Sequence, residues 1–284
     1  MAVCVAHARR ALSVPARRFP LALERVGDTL VGRGGVRKPR AMPNSPLPLG
    51  GAALPAVQIQ PAFGLGLDSQ AVRQRMVQRL RANGAVCEPA LAALAVVPRH
   101  QFVDSALAAQ AYEDTSLPIG MGQTISKPSV IVRMLALLFE GRDAARSGSL
   151  GRVLEIGTGC GYQAAVLSLL AHNVVSVERL RRLYDRARDN LALLPRDNLR
   201  LVYGDGLVGH APNAPYDAII CAAGGDDVPT AWLEQMAVGG RLIAPTRGDP
   251  QSGQVLLVID RNERGWTRRT HEAVHFVPLR SGTA

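Results

Sequence analysis

The chain has 284 residues, of which 47% are hydrophobic, 20% charged and only 4% aromatic. This composition excludes a collagen-like, disulfide-rich or wholly disordered protein, and the length allows one or two domains. The net charge of +10 is uneven, because residues 1–63 hold nine basic and two acidic residues and the rest carries only +3. The charge is therefore weak evidence that the folded part binds nucleic acid. No run of about 18 apolar residues occurs, so we expect no membrane-spanning helix.

Residues 1–65 are predicted to be a disordered, basic extension rich in Pro, Gly and Arg, because they show no sustained hydrophobic period. Arg9 and Arg10 interrupt any apolar core of a secretory signal. The composition is like that of a transit peptide, but a flexible tail, or a true start at Met42 or later, explains it more simply. The four cysteines form no CxxC pair, which indicates reduced thiols and a cytoplasmic protein.

The region before residue 150 is predicted to be mostly helical. Its expected elements are a helix capped by Asp68 or Ser69 and ending at Asn83-Gly84, a helix over 88–96, an ordered loop with a short strand over 113–123, and a helix that begins near Pro128. Ser126 is predicted to cap this last helix. Its hydroxyl either serves only as a cap or is also presented to a substrate carboxylate.

Strands and helices alternate from residue 152 onward. Strands are predicted at 153–156, 174–178, 199–203, 216–221 and 241–244, with helices reaching to about 171 and 194 and another around 232–236. Two late strands, 255–259 and 272–277, have no helix between them. This alternation predicts an α/β fold with a doubly wound, mostly parallel sheet.

A glycine-rich turn follows the first of these strands and opens a helix. It contains Gly157, Gly159 and Gly161, preceded by Glu155. The dinucleotide fingerprint needs its third glycine one residue later, so the turn fits a nucleoside ligand better than a pyrophosphate. A purely structural tight turn is the alternative for this motif taken alone.

The next two strands also end in acidic residues. Glu178 lies 21 residues after Gly157, where a carboxylate could accept both ribose hydroxyls. Asp205, followed by Gly206, ends the third strand and could reach an adenine amino group. Because the carboxyl ends of parallel strands meet at one edge, these features together predict a nucleoside site. The sequence shows no His/Cys cluster with metal-ligand spacing.

Several segments together carry a family resemblance: residues 96–103 (VVPRHQFV), 111–114 (AYED), 117–120 (LPIG), 122–128 (GQTISKP), 153–163 (VLEIGTGCGYQ) and 271–279 (HEAVHFVPL). In this order they resemble the protein-L-isoaspartate O-methyltransferases, over roughly residues 66–284. Many members have Ser where this chain has Cys160, and a residue such as Gln where it has Lys127. Neither change removes an evident chemical group.

The resemblance implies a Rossmann-like class I methyltransferase domain over 66–284, with N-terminal helical elements that bind substrate. It implies methyl transfer from S-adenosyl-L-methionine to the free carboxylate of L-isoaspartyl residues in damaged proteins and peptides, which initiates repair. Ser126 would be the catalytic residue. The expected cofactor-binding residues are Glu155, Gly157, Gly159, Gly161, Glu178, Asp205 and Gly206, and the expected substrate-binding residues are Gln123, Thr124, Ile125 and Ser126.

The expected protein is a monomer with no metal and no stable nucleic-acid or membrane partner. Three other functions remain open at this point. A Rossmann oxidoreductase is disfavoured by the glycine spacing, and a nucleic-acid module would depend on the basic extension. A methyltransferase with a different carboxylate or small-molecule acceptor is the nearest alternative.

Overall fold

The computed structural model describes residues 70–248 and 253–284. The extension 1–65 and the expected helix cap at Asp68 or Ser69 lie outside the described residues. Five elements precede the central sheet: α1 (Gln70–Ala82), α2 (Glu88–Val96), the hairpin strands β1 (Leu117–Gly120) and β2 (Gln123–Ile125), and α3 (Pro128–Phe139). Their bounds agree closely with the helices and the loop strand that the sequence predicts.

The rest of the chain alternates between strands and helices. These elements are α4 (Arg142–Ser147), β3 (Arg152–Ile156), α5 (Tyr162–Ser168), β4 (Asn173–Glu178), α6 (Arg181–Ala192), β5 (Leu199–Tyr203), β6 (Tyr216–Cys221), α7 (Thr230–Glu234), β7 (Met236–Arg247), β8 (Gln254–Asn262) and β9 (Gly265–Val274). Within the described residues, no helix has the length and apolar character that a membrane span requires.

The central sheet has seven strands in the order β5-β4-β3-β6-β7-β8-β9. β3 pairs in parallel with β4 and β6, and only β8 and β9 run antiparallel to their neighbours. The chain builds outward from β3 to β5 and then returns to β6 on the other side of β3. A doubly wound sheet of this kind opens a crevice at the carboxyl ends of the strands where the order reverses, here β3 and β6.

The N-terminal helices belong to the same hydrophobic core as one face of the sheet. Leu91 of α2 and Leu135 of α3 are fully buried in the same cluster as Val153 of β3 and Val166 of α5. A second cluster covers the opposite face and includes Leu154 and Trp232. The substrate-binding elements expected from the sequence are therefore packed directly onto the domain that carries the glycine-rich turn.

Three predicted boundaries are wrong. The helix expected around 232–236 ends at Glu234, and Met236 already begins β7, which is twelve residues long. The helix after the glycine-rich turn ends at Ser168 rather than near 171. The last strand covers Gly265–Val274 rather than 272–277. This strand, β9, lies at the exposed edge of the sheet. An edge strand pairs on one side only and needs no alternating apolar pattern, so its sequence carries little signal.

The predicted helix cap at Ser126 is also wrong. Lys127 is the capping residue of α3 and makes no side-chain cap bond, while Pro128 occupies the first turn and brings no amide proton. The next free amide, that of Ser129, donates to the carboxylate of Asp114 over 2.8 Å. A carboxylate from a preceding loop thus satisfies the helix terminus, and the Ser126 hydroxyl makes no hydrogen bond within the described residues.

Removing the Asp114 carboxylate should therefore cost stability, whereas removing the Ser126 hydroxyl should not. We expect Asp114→Ala to lower the free energy of unfolding by about 1 kcal/mol, the usual worth of a lost helix cap. Asp114→Asn keeps a side-chain acceptor and is the matched control. Urea denaturation of both variants and of Ser126→Ala measures the difference, and an equal loss in Asp114→Ala and Ser126→Ala would contradict this assignment.

Candidate active site

A pocket lies at the carboxyl edge of the sheet, in the crevice between β3 and β6. Its floor is the glycine-rich turn with the end of β4, and its sides are the β1–β2 hairpin and residues 277–280 near the C-terminus. The lining includes four of the seven predicted cofactor-binding residues and the whole predicted substrate segment: Gly157, Gly159, Glu178 and Gly206, with Gln123, Thr124, Ile125 and Ser126. Glu155, Gly161 and Asp205 do not line it. The structure thus brings the substrate segment and part of the predicted cofactor set into one site.

The glycines of the turn are required by its backbone conformation. Gly157, Gly159 and Gly161 have φ values of +89°, +58° and +92°, a region that other residues rarely adopt. A Cβ on Gly159 would also lie 3.2 Å from the Ile119 side chain, and one on Gly161 would lie 3.1 Å from Leu191. The turn therefore keeps its backbone close to the hairpin, and at Gly157 and Gly159 the pocket floor is bare backbone.

Glu178 holds this turn against the end of β4. Its Oε2 accepts the Gly159 amide and its Oε1 accepts the Leu180 amide, both over 2.8 Å. The side chain is almost completely buried, and burial raises the pKa of the carboxyl while these amides act in the opposite direction. Each carboxylate oxygen has a second lone pair, so Glu178 could also accept hydroxyl groups from a ligand in the pocket.

Glu155 lies behind the turn rather than in the pocket wall. It is fully buried, and its Oε2 accepts the Ser176 hydroxyl, which also contacts the Thr158 hydroxyl over 2.6 Å. Its carboxyl also interacts with the side chain of Gln163. Thr158 and Gln163 both line the pocket, so Glu155 reaches the site through these neighbours. Burial raises the pKa of its carboxyl to about 8.

Asp205 is placed differently from the sequence expectation, whereas Gly206 does line the pocket. The two Asp205 oxygens accept the backbone amides of Leu207, over 2.9 Å, and Gly282, over 2.6 Å. The residue caps a short 3-10 turn and fastens the C-terminal segment, so its carboxylate does not line the pocket wall. A Cβ on Gly206 would lie 2.6 Å from the Ile156 side chain, which explains the glycine there.

Arg99 is a residue of the site that sequence reasoning missed. It is fully buried, and it donates from Nη2 to the Ser126 carbonyl over 2.7 Å and from Nε to the Ala111 carbonyl over 2.8 Å. Its guanidinium carbon lies 4.9 Å above the ring of Tyr162, the first residue of α5. Arg99 thereby connects the substrate segment to the helix that follows the glycine-rich turn. Arg99 belongs to the segment 96–103 that carries the family resemblance, but its contacts join residues distant in the sequence, and no local pattern predicts them.

The C-terminal segment forms a further wall that the sequence did not predict. The Gly224 amide donates to the Val277 carbonyl, and the Leu279 amide donates to the Gly224 carbonyl, both over 2.8 Å. The Ala284 amide donates to the Arg179 carbonyl over 2.9 Å. Residues 277–284 therefore cross from the end of β6 to the end of β4 and cover the carboxyl edge of the sheet between them.

The described residues contain no group of three His, Cys, Asp or Glu side chains that could hold a metal ion. Cys87, Cys160 and Cys221 are buried free thiols. Burial raises the pKa of Cys160, although it lines the pocket, so its thiol is protonated at neutral pH and is a poor nucleophile.

The raised pKa of Glu155 predicts a pH-dependent stability of the cofactor-free protein. An unfolded glutamate ionises above about pH 4.5, but folded Glu155 keeps its proton until about pH 8. The folded state binds more protons in this interval, so the free energy of unfolding falls as the pH rises through it. We expect Glu155→Gln, which stays neutral, to be more stable than wild type at pH 8.5, by at most about 5 kcal/mol.

Urea denaturation at pH 5 and pH 8.5 measures this gain, with exposed Glu263→Gln as the control for loss of one carboxylate. The advantage of Glu155→Gln should shrink toward pH 5, and a gain that stays constant over this range would contradict the assignment.

Comparisons with known proteins agree with this geometry. The family model described as protein-L-isoaspartate(D-aspartate) O-methyltransferase matches residues 71–284. A protein-L-isoaspartate O-methyltransferase of Methylibium petroleiphilum is 57% identical over 270 residues, covering 95% of this chain and 97% of that protein. One of Leptothrix cholodnii is 63% identical over 222 residues, covering 78% of this chain and 77% of that protein.

Solved structures show the same fold. A protein-L-isoaspartate O-methyltransferase superposes with a TM-score of 0.65 at 28% identity, covering 74% of this chain and 66% of that one. A putative enzyme of this kind from Plasmodium falciparum, solved with S-adenosyl-L-homocysteine, gives 0.61 at 22% identity, covering 73% and 98%. The glycine turn, the acidic strand ends and these matches along most of the sequence lead to one conclusion. The chain belongs to the protein-L-isoaspartate(D-aspartate) O-methyltransferase family and is a Rossmann-like, S-adenosylmethionine-dependent methyltransferase.

Proposed function

We propose that this protein methylates the free α-carboxylate of L-isoaspartyl residues in damaged proteins and peptides, and so initiates their repair. One observation carries the proposal at the level of the site. The Ser126 hydroxyl, which the helix does not use, lines the same pocket as the glycine-rich turn and Glu178. A hydroxyl that donates to a carboxylate is therefore available beside a nucleoside site.

The residues of the pocket fit S-adenosylmethionine. Gly157 and Gly159 leave a backbone floor without side chains, and Glu178 offers carboxylate lone pairs at its edge. The turn, Glu178 and Gly206 would hold the cofactor, with Glu155 acting from behind through Thr158 and Gln163. When bound, the cofactor supplies an activated methyl group on a sulfonium.

The protein's own part in the reaction is to bind and to align. An α-carboxylate is ionised at neutral pH, so the nucleophile needs no general base. Ser126 donates one hydrogen bond to it and fixes its direction, while Arg99 holds the Ser126 backbone through its carbonyl. The hairpin and residues 277–280 line two sides of the pocket and so limit the directions from which the two substrates can approach each other. Alignment of this kind is worth up to about 7–11 kcal/mol in favourable systems.

Ser126→Ala should lower methyl transfer without weakening cofactor binding. The expected loss is about 10- to 150-fold in kcat/KM for an L-isoaspartyl peptide, since one hydrogen bond to a charged group contributes about 1.5–3 kcal/mol. No loss of stability is expected, because Ser126 does not cap α3. Initial rates, calorimetric binding of S-adenosylhomocysteine and a melting temperature, measured on one preparation, separate these effects. A wild-type rate at both limiting and saturating peptide would exclude the role.

Glu178→Ala is the complementary variant and should show the reverse pattern. It removes the carboxylate proposed to accept the ribose hydroxyls, so S-adenosylhomocysteine should bind more weakly by about 1–3 kcal/mol. The same change frees the Gly159 and Leu180 amides, and some loss of stability should accompany it. Unchanged calorimetric affinity in this variant would contradict the ribose assignment.

Residues 66–284 are proposed to be the whole catalytic unit, with residues 1–65 dispensable for methyl transfer. The family match, which begins at residue 71, supports this division. A protein that begins near Pro61 should keep both cofactor binding and peptide methylation. If that shorter protein folded and bound the cofactor but lost activity, the extension would have a catalytic role.

The acceptors are proposed to be whole proteins as well as peptides, and the enzyme to act as a cytoplasmic monomer without a stable nucleic-acid or membrane partner. The buried free thiols support a reducing compartment. Light scattering at micromolar concentration, with and without an L-isoaspartyl peptide, tests the monomer, and a dimer mass would contradict it.

A further inference from the structure

We propose that this enzyme prefers isoaspartyl peptides with an acidic side chain next to the damaged residue, and that Lys127 is the group that selects them. The proposal rests on the function proposed above. It concerns a cleft beside the cofactor pocket, here called the peptide cleft, whose two walls are residues 124–127 and residues 273–277.

The position of the peptide cleft connects it to the reaction. Thr124, Ser126, Ala222 and Val277 line both the cleft and the cofactor pocket. A peptide whose carboxylate lies at Ser126 therefore has this cleft as an adjoining path for its flanking residues. Side chains of the cleft wall, rather than those around the cofactor, would then contact the neighbours of the isoaspartyl residue.

The titratable side chains that line the peptide cleft are basic. Among the residues that the structure describes, Lys127 and His275 are the only titratable ones that line it, and no described carboxylate lies in its wall. The Lys127 side chain is exposed and makes no hydrogen bond or ion pair within the part of the chain that the structure describes. Nearby acids are already engaged, since Asp114 accepts the Ser129 amide and Glu272 pairs with Arg133 over 2.6 Å.

Helix stability does not explain a cation at this position. Lys127 caps the N-terminus of α3, and the first turn of α3 contains no acidic residue. The positive end of the helix dipole disfavours a cation there. Lys127 also stands alone as the single lysine of residues 70–284, where every other permanent cation is an arginine. An ammonium on a flexible stem adapts to peptides of varied sequence more readily than a planar guanidinium.

The physical consequence is a difference between acidic and basic substrates. An acidic flanking side chain would gain a partner in Lys127, whereas a basic one would be repelled by it. Exposed ion pairs of this kind change an equilibrium by up to about fivefold, and salt screens them. The preference should therefore be moderate and should depend on ionic strength.

The test uses L-isoaspartyl peptides that differ only in carrying Glu or Lys at one of the two positions on either side of the damaged residue. The measured quantities are kcat/KM for methylation and the peptide Kd in the presence of S-adenosylhomocysteine. Wild type should prefer the Glu peptide by about fivefold at low salt for at least one position, and about 0.5 M NaCl should remove most of this preference. Lys127→Gln should abolish the preference, and Lys127→Arg should keep most of it.

Arg264→Gln is the matched control. It removes one exposed positive charge from the turn before β9, whose ten residues place it roughly 30 Å from the peptide cleft. This variant should keep the preference of wild type. Equal rates and affinities for Glu and Lys peptides in wild type, or a preference that survives in Lys127→Gln, would overturn the proposal. If wild type methylated none of the isoaspartyl peptides, the proposed function itself would fail instead.

Discussion

The site depends on one buried cation, the guanidinium of Arg99. It lies between the backbone carbonyl of Ser126 and the ring of Tyr162, and so connects the substrate segment to the helix after the glycine-rich turn. A buried charge is tolerated only where hydrogen bonds and favourable contacts compensate its lost hydration, so these contacts constrain one another strongly. Because of this constraint, Ser126 and the cofactor pocket are held in a fixed relative position. This packing aligns the two substrates.

Two glutamates at the ends of neighbouring strands serve the same pocket in different ways. Glu178 lines it and holds the turn through two amides, so its charge is compensated by backbone donors. Glu155 is completely buried behind the turn, and its pKa is raised because this burial outweighs its contacts with the Ser176 hydroxyl and the Gln163 side chain. Glu178 is therefore the carboxyl whose charge the backbone supports at the edge of the pocket, whereas Glu155 is mostly neutral at pH 7 and a cationic ligand nearby would favour its ionised form.

The parts of the fold that the sequence predicted are those with local causes. β5 and β6 have the predicted bounds, because β-branched and apolar runs between turn residues are a local signal. The glycine-rich turn was found because glycines are needed wherever φ is positive. Contacts between distant segments gave no such signal: Arg99 with Ser126, Asp114 with Ser129, and Asp205 with Gly282. Each error at the site, including the Ser126 cap, comes from one of these long-range contacts.

At the start of α3, a long-range contact from Asp114 takes the place of a local serine cap and leaves the Ser126 hydroxyl available for function. A serine two residues before a proline is a natural helix cap, and its hydroxyl would then be committed to the backbone. Here Asp114, from the loop before the hairpin, takes the free amide of Ser129. Pro128 fixes the backbone at the start of α3 and has no amide proton that would need an acceptor. The side chains of Ser126 and Lys127 make no cap hydrogen bond. The hydroxyl and the ammonium have no partner within residues 70–248 and 253–284, and both lie at the junction of the cofactor pocket and the peptide cleft. Polar groups left unpaired at such a junction are the ones that a bound peptide can satisfy.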